Sequence, residues 1–597
     1  MEIKEGYMID FISGLQVKET PEEIEAVQPF SEILVKDYGY PKSHIQTRPQ
    51  WRVKVRPSDK KKEYPVDIAI FNSADHVDDS ISIIVECKKK NRKDGRSQLE
   101  DYLRFSKAML GVWFNGNERL YLRKVEKSGK VSFEEIPNIP RYGERLEDIG
   151  KFKRKDLKPS ENLKPTFKTI RNYLAANAVG ITRDEVFAAQ IINLIFCKIY
   201  DERFTKPNDT VNFRAGLNEK ADVIKSRIEV LFGNVKKQYS DVIEVTDQID
   251  IDSKSLAYIV GELQLYSLQD SSRDAVGEAF EIFIGPSLKG GQGQFFTPRN
   301  VVNMVVEMID PSTTDRILDP ACGSGGFLVE ALRYVWNKID QDGNDLGWPL
   351  HEIEAEKQKV AIKNIRGIDK DSFLSKVAKA YLAILGDGRG GIHCENSLDK
   401  IENWNTTTSE EIQLNKFDVI VTNPPFGKKL AIDTVEILQQ FDLGYKWKEN
   451  DEGTFVKAEL YDKQPPQLLF IERCLSLLKP GGKLGIVLLE SIFGMPKYQY
   501  VVNFIKEKAK ILAITTLPED LFQPNTHAKC CVLICQKYDV GESVVSVGNY
   551  GIFMCDIKWC GHDSRGNPTY TYDNAGNKIL LDEVPMVASE YRKHMRV

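Results

Sequence analysis

The chain has no apolar run near the roughly 18 residues of a membrane-spanning helix. Its start, MEIKEGYMID, lacks the basic segment and apolar stretch of a secretory leader. Membrane insertion and secretion are therefore not expected. A cationic excess is also missing: 82 Lys and Arg face 87 Asp and Glu, a net charge of -5. A protein that holds polyanionic nucleic acid unaided usually carries a positive balance or face, so such a role here requires local basic patches or a partner. A short secreted disulfide framework is absent as well. The ten cysteines are scattered from Cys87 to Cys560, which fits free thiols in a reducing compartment, here a cytoplasm. No internal repeat is found. What remains is a chain of 597 residues, 42% apolar and 28% charged, which excludes a single small module and broad disorder. Its length predicts about three or four folded domains.

Residues 1–150 read as mixed α/β. Pro21, Glu22 and Glu23 open a helical stretch that ends near Gly39-Tyr40-Pro41. Two strand-like runs follow, EYPVDIAIF (63–71) and SISIIVECK (80–88), then a helical segment (97–110) and a hairpin signal at Asn115-Gly116. Residues 151–165 are charged, apolar-poor and contain two prolines, which predicts a linker. Residues 166–289 turn helical, with Thr182 and Glu185 at capping-box spacing before an apolar face that includes Val186, Phe187, Ile191, Leu194 and Ile195. From 290 to 597 short apolar strands alternate with helices, predicting a doubly wound, Rossmann-like parallel sheet. The polar cluster Thr406, Thr407, Thr408, Ser409 predicts a loop tip. Cys530, Cys531 and Cys535 read as core, and Cys555, Cys560 and His562 lack a second ligand pair for zinc.

Two segments of the last domain carry chemistry. In RILDPACGSGGFLVEAL (316–332) a strand runs through Asp319, Ala321, Gly323, Ser324, Gly325 and Gly326 into a helix. Glycines allow positive φ and close backbone approach, and the helix start offers free N–H groups, so a cofactor with a carboxylate and an adenosine fits there. Asp319 is placed to meet an ammonium group. Asp369 ends the next strand, positioned for ribose hydroxyls, at a distance from the glycines too long for a dinucleotide fold. The second segment, FDVIVTNPPFG (417–427), delivers Asn423, Pro424, Pro425 and Phe426 to the carboxyl end of a strand. An exocyclic ring amine is a poor nucleophile because its lone pair is delocalised. The Asn423 side-chain carbonyl and the Pro424 backbone carbonyl can accept both amine hydrogens and draw the nitrogen toward sp³, held ready by the stiff prolines. Phe426 can stack on a base flipped from its duplex.

Three residues of the first domain form a separate group. Glu86 and Lys88 stand two apart on one strand, and Asp67 precedes them on another. Asp67, Glu86 and the Cys87 carbonyl offer hard oxygen ligands for Mg²⁺, and Lys88 can act on a water that attacks a phosphodiester.

In order along the chain, GQFFTP (293–298), DPACGSGGF (319–327), GID (367–369) and NPPF (423–426) resemble the modification (M) subunit of type I restriction systems and related N6-adenine DNA methyltransferases. That resemblance implies S-adenosylmethionine as cofactor, with Gln294, Phe296 and Thr297 helping to enclose it. It also puts the position facing the cofactor adenine near Glu395-Asn396-Ser397, where the usual Asp is Asn396. Asp67, Glu86, Lys88 and Gln98, the last opening a helix with Tyr102 one turn on, resemble the PD-(D/E)xK nuclease core. Together the two resemble the bifunctional subunit of type IIB and type IIG restriction-modification enzymes, which methylates adenine and cuts unmodified double-stranded DNA with Mg²⁺. The alternative is a modification-only subunit whose amino-terminal domain merely grips DNA. Because little chain follows the methyltransferase-like core, a separate specificity subunit is expected in a hetero-oligomer within a prokaryotic cytoplasm.

Overall fold

The computed structural model describes residues 4–595 except 5, 57, 63, 91, 161, 181, 182, 241, 272–281, 283–296, 387–390, 427–429, 451–454, 524, 525 and 573–577. The chain divides into two units, Met1–Phe283 and Ile284–Val597.

Near-continuous apolar strands need cover on both faces. In the first unit β1 (Ile45–Gln46), β2 (Ile68–Phe71), β3 (Ile81–Cys87), β4 (Leu110–Phe114), β5 (Arg119–Lys127) and β6 (Lys130–Glu135) form a sheet of order β6-β5-β4-β3-β2-β1. Phe30 and Leu34 of α1 (Gln28–Lys36) cover one face, against Ile68, Ile83, Val85 and Val112. Leu99, Tyr102 and Leu103 of α2 (Arg96–Arg104) cover the other, against Ala69, Ile84 and Trp113. Helix α2 is the crossover between parallel strands β3 and β4. The single strand expected over 63–71 is broken: Tyr64–Pro65 pairs with Arg52–Val53, β2 begins at Ile68, and Asp67 falls in the gap. Pro65 has no N–H to give a ladder, which suits a short edge pair. The hairpin signal at Asn115-Gly116 is realised as the β4–β5 turn, where the Asn115 side chain accepts the N–H groups of Asn117 and Glu118 at 3.0 and 2.7 Å.

Residues 151–165, expected as a linker, lie within this first unit. Phe152, Leu157 and Leu163 are buried among the charges, Lys153 bridges Thr210, and Arg154 pairs with Asp270 at 2.9 Å. Three well-spaced apolar anchors suffice to pin a stretch that composition alone presents as solvated. Helices α3 (Lys164–Asn177), α4 (Asp184–Phe204), α5 (Ala221–Gln238) and α6 (Ser253–Leu263) follow. Phe187, Ile191, Leu194 and Ile195 are buried, but Val186 is 38% exposed, and α4 buries residues around its whole circumference, including Gln190, Lys198 and Asp201. Thr182 of the expected capping box lies outside the described residues. Helix α6 is tied to the sheet by a buried ion pair, Arg119 Nη1 to Glu262 Oε2 at 3.1 Å, and to the segment after β6 by Asn138 Nδ2 donating to the Gly261 carbonyl at 3.0 Å.

In the second unit, α7 (Arg299–Ile309) precedes β7 (Ile317–Asp319), α8 (Gly326–Asp345), β8 (Ile365–Asp369), α9 (Ser372–Gly386), β9 (Ile392–Cys394) and β10 (Phe417–Thr422). Then come α10 (Pro466–Leu477), β11 (Leu478–Leu489), α11 (Gln499–Lys508), β12 (Ala509–Thr516), β13 (Cys530–Lys537), β14 (Phe553–Asp556) and α12 (Val584–Met595). The sheet order is β9-β8-β7-β10-β11-β13-β12-β14, parallel except that β13 runs antiparallel to both its neighbours. The chain winds outward from β7 to β9, then returns to start again at β10. Ligands of open α/β sheets bind at such a switch point, beyond the carboxyl ends of the strands. The threonine cluster expected as a loop tip is instead a short helix, Thr406–Glu411, because Asn405 caps it by accepting the Thr408 N–H at 2.9 Å. Thr408 is buried, with its hydroxyl 2.9 Å from His393 Nδ1. Cys474, Cys530, Cys531 and Cys535 are buried and Cys394 is exposed. Among the described residues no group of three or more His, Cys, Asp or Glu is arranged to hold a metal ion, and no helix is long and apolar enough to cross a membrane.

Candidate functional site

Strand β7 ends on Asp319, and the chain turns through Pro320–Gly325 before α8 begins. Gly323 takes φ +53° and Gly325 φ +87°, both in the left-handed region that side chains resist. Their surroundings differ. A Cβ on Gly323 would meet nothing within 4 Å, and Gly323 lines a cavity of about 620 Å³. A Cβ on Gly325 would press Ala378 of α9 at 3.2 Å, and Gly325 is not among the residues lining the cavity. Gly325 therefore serves close helix packing, whereas Gly323 and Gly326 face the ligand space. This departs from the expectation that all the glycines contact a cofactor.

The Asp369 carboxylate accepts the N–H groups of Gly323 and Asp371, each at 2.9 Å, which fixes the glycine turn to the end of β8. Asp319 accepts the Ala321 N–H at 3.0 Å. Burial pushes the Asp319 carboxyl up to about 7 and raises Asp369 as well. Ala321, Ser324, Asn396 and Ser397 also line the cavity. The Asn396 side chain donates to Asp399 at 3.0 Å and accepts the Leu398 N–H at 3.2 Å. The Ser397 hydroxyl donates to the Pro320 carbonyl, so it braces the turn.

Asn423, Pro424, Pro425 and Phe426 follow β10 directly and open on the same cavity. Asn423 Nδ2 donates to Thr297 Oγ1 at 2.9 Å. Phe426 is buried and meets Phe522 edge-on with ring centres 5.9 Å apart. Gln294 and Phe296 lie outside the described residues. The sequence reading missed Lys370, Asp371 and Leu374, which follow Asp369 into α9, and Pro466 and Phe470 of α10. The first three were signalled by their position just past a strand end; Pro466 and Phe470 carry no local signal, because packing alone brings α10 to the cavity.

In the first unit, Asp67 Oδ2 accepts the Cys87 N–H at 2.7 Å, and Lys88 Nζ pairs with Glu86. Burial raises both the Asp67 and the Glu86 carboxyls, and Asp67 raises Glu86 further. Gln50, not picked out from the sequence, donates to Asp67 at 3.4 Å. Gln98 donates to the Tyr102 hydroxyl, which donates in turn to the Pro65 carbonyl at 3.2 Å. Gln98 thus reaches, through Tyr102, the backbone two residues before Asp67.

The strand-end acid, glycine turn and Asn-Pro-Pro-Phe turn around one cavity are matched by a family comparison. Residues 271–558 match the N-6 DNA methylase family. Residues 21–140 match the family of the type I restriction enzyme R protein N terminus. Among curated relatives, the type I restriction enzyme EcoEI methylase subunit of Escherichia coli is 24% identical over 69% of this chain and 75% of its own length. The type I restriction enzyme MjaVII methylase subunit of Methanocaldococcus jannaschii is 28% identical over 58% of this chain and 55% of its own. Against the StySPI and EcoKI methylase subunits the chain spans half of the relative's length. A solved structure from a study of type I R-M complex assembly covers 73% of this chain and 83% of its own, with 18% identity and a TM-score of 0.48. Residues 271–558, the stretch that matches this family, contain every cavity residue described above.

Proposed function

We propose that the methylase region transfers the methyl group of S-adenosylmethionine to N6 of adenine in double-stranded DNA, as the modification subunit of a restriction-modification system. The observation that carries this reading is the shared cavity: Asn423–Phe426 borders the same space as Gly323 and Asp369. In this reading Asp319 meets the cofactor's ammonium, Asp369 its ribose, and Asn396 and Ser397 its adenine end. Ala321, Ser324 and Gly326 complete the wall, and Gln294, Phe296 and Thr297 enclose the cofactor from the segment before α7. Asn423 and Pro424 accept the target amine's hydrogens, Pro425 stiffens the turn, and Phe426 flanks the base. The cavity suits the cofactor: it is roomy enough for a nucleoside, and the space in front of Gly323 is where a side chain would obstruct it. The net charge of -5 and the methylase-subunit relatives support a separate specificity subunit that supplies sequence reading. The test is incubation of the chain, with and without a co-expressed specificity subunit, on mixed-sequence DNA with radiolabelled S-adenosylmethionine. N6-methyladenine formed by wild type and not by Asn423→Ala supports the reading; no methyl transfer under either condition rejects it.

A second reading concerns residues 1–150. The half-buried Asp67 and the buried Glu86, flanked by Lys88, favour a Mg²⁺-dependent PD-(D/E)xK nuclease over a domain that merely binds DNA. Mg²⁺ commonly takes one or two carboxylates and completes its shell with water and substrate phosphate, so this donor set fits it. A cation there would relieve the unfavourable burial of both acids, with Lys88 toward the attacking water and Gln98 supporting through Tyr102. On this reading the chain is bifunctional, as in type IIB and IIG systems. Calorimetric Mg²⁺ titration of wild type against Glu86→Ala, alongside a cleavage assay on unmodified DNA, tests it. Binding and cleavage both lost in the variant support it; a wild-type complex that neither binds Mg²⁺ nor cuts leaves a modification-only subunit.

A further inference from the structure

The chain as a whole is acidic, yet two short stretches of the first unit reverse that sign. Residues 52–62, RVKVRPSDKKK, hold six basic residues and one acid, and residues 88–96, KKKNRKDGR, hold the same. The fold brings the two together. The first stretch is the loop closed by the pairing of Arg52–Val53 with Tyr64–Pro65, just before β2 begins at Ile68. The second follows Cys87, the last residue of β3. Strands β2 and β3 are antiparallel neighbours, so the start of one and the end of the other lie at the same end of the sheet. Asp67 and Glu86 stand there, where the Asp67 carboxylate accepts the Cys87 N–H at 2.7 Å.

Part of this charge is engaged within the unit. Lys62 pairs with Asp78, Lys88 with Glu86, Arg92 with Asp94, Lys93 with Glu118 at 3.5 Å, and Arg96 with Glu100 at 3.1 Å and Glu135 at 2.6 Å. Exposed pairs of this kind hold weakly and exchange readily for another anion. Asp59 accepts the N–H groups of Val55 and Arg56 at 3.0 and 2.8 Å, which shapes the first loop. Lys54, Arg56, Lys60, Lys61, Lys89 and Lys90 stand exposed on the two loops. Lys168 of α3 adds to the crowd, since partial burial and the nearby Lys90 both lower its ammonium below the usual range. Two carboxylates at a surface repel a polyanion. Cations on both sides within a Debye length, about 8–10 Å, turn that repulsion into attraction.

We propose that the loops 52–62 and 88–96 form one phosphate-gripping surface, on which the backbone of double-stranded DNA lies across Asp67 and Glu86. This rests on the nuclease reading above for its substrate and adds how that substrate is held. A lysine ammonium is a point charge, which neutralises phosphate without reading a base edge. The grip is therefore independent of sequence and steeply dependent on salt.

The experiment follows binding of a short mixed-sequence duplex by fluorescence anisotropy, without Mg²⁺ and across salt concentrations, to the full chain with its specificity subunit. Wild type is compared with a variant carrying Lys54→Gln, Arg56→Gln, Lys60→Gln and Lys61→Gln, with a second carrying Lys89→Gln and Lys90→Gln, and with Glu86→Ala. Each phosphate contact contributes about 0.9 to the slope of log K against log salt, so the first variant is expected to flatten the slope by about three and the second by about two. Glu86→Ala is expected to bind at least as tightly as wild type, because it removes a like charge from the duplex's path. Acylation of wild type with an N-hydroxysuccinimide ester, read by mass spectrometry, is expected to spare Lys60, Lys61, Lys89 and Lys90 when duplex is bound and to modify them when only the specificity subunit is present. Wild-type slopes in both multiple variants overturn the proposal. So does unchanged acylation of these lysines in the DNA complex, and so does their protection by the specificity subunit alone, which makes the surface a protein interface. A complex that shows the flattened slopes and the protection but never cuts with Mg²⁺ removes the nuclease reading and keeps the surface. One that cuts while slopes and acylation stay unchanged removes the surface alone.

Discussion

Asp319 is a buried carboxyl, and burial pushes its pKa up to about 7. Between the usual carboxylate range and about 7, the folded chain keeps a proton there that the unfolded chain releases. Stability of the ligand-free protein is therefore expected to fall as pH rises through that window. An ammonium group brought to Asp319 favours the ionised form, so binding releases the proton and S-adenosylmethionine affinity is expected to rise with pH. At pH 6 the dissociation constant should be about tenfold weaker than its high-pH limit, levelling off above about pH 8. Calorimetry across pH checks this, and Asp319→Asn should bind weakly at every pH with the slope gone. The two glycines give a second contrast at the same scale. Gly323→Val places a branched side chain into the ligand space at φ +53° and is expected to block cofactor binding. Gly325→Ala meets Ala378 at 3.2 Å in a left-handed conformation, so it is expected to cost about 1–2 kcal/mol of stability while leaving the affinity of folded molecules unchanged. Denaturant titration and calorimetry separate the two effects.

At the scale of elements, the ion pair between β5 and α6 joins the sheet to the helices of the first unit. Both side chains are 1% exposed, so removing one partner leaves a buried charge unpaired. Glu262→Ala is expected to destabilise this unit by about 3–5 kcal/mol, and Glu262→Gln, which keeps an acceptor, by less. Hydrogen exchange should show the loss in α6 and in β5 together, because each is anchored by the other. This coupling was not legible in the sequence. Arg119 and Glu262 are 143 positions apart, and nothing in the charged stretch 151–165 announces that Phe152, Leu157 and Leu163 hold it against the unit. What was legible were segments whose proposed role and local structure coincide: the strand, glycine turn and helix at 317–332, and the strand that delivers Asn423. The threonine run at 406–408 misled because threonine is a weak helix former; its helix depends on a cap from Asn405 and on a partner for Thr408, both of which only the fold supplies.

At the scale of the whole molecule, the two sets of candidate residues fall in separate units, Asp67, Glu86, Lys88 and Gln98 in the first and the cavity residues in the second. Each set rests on its own sheet. Glu86→Ala is therefore expected to leave methylation near wild type while removing any Mg²⁺-dependent cleavage, and Asn423→Ala the reverse. Parallel methylation and cleavage assays on the same preparations check the separation. Equal loss of methylation in Glu86→Ala would show that the first unit is needed for the second to act.

The placement of the cysteines makes the protein convenient to watch. Cys394 is exposed at the end of β9, paired in register with Asp369, while the other nine thiols are buried or half-buried. A maleimide dye under native conditions should therefore attach mainly at Cys394, on the strand beside the proposed ribose-binding acid. Its emission would then give an optical titration of cofactor loading in the intact chain, independent of turnover and needing no engineered handle.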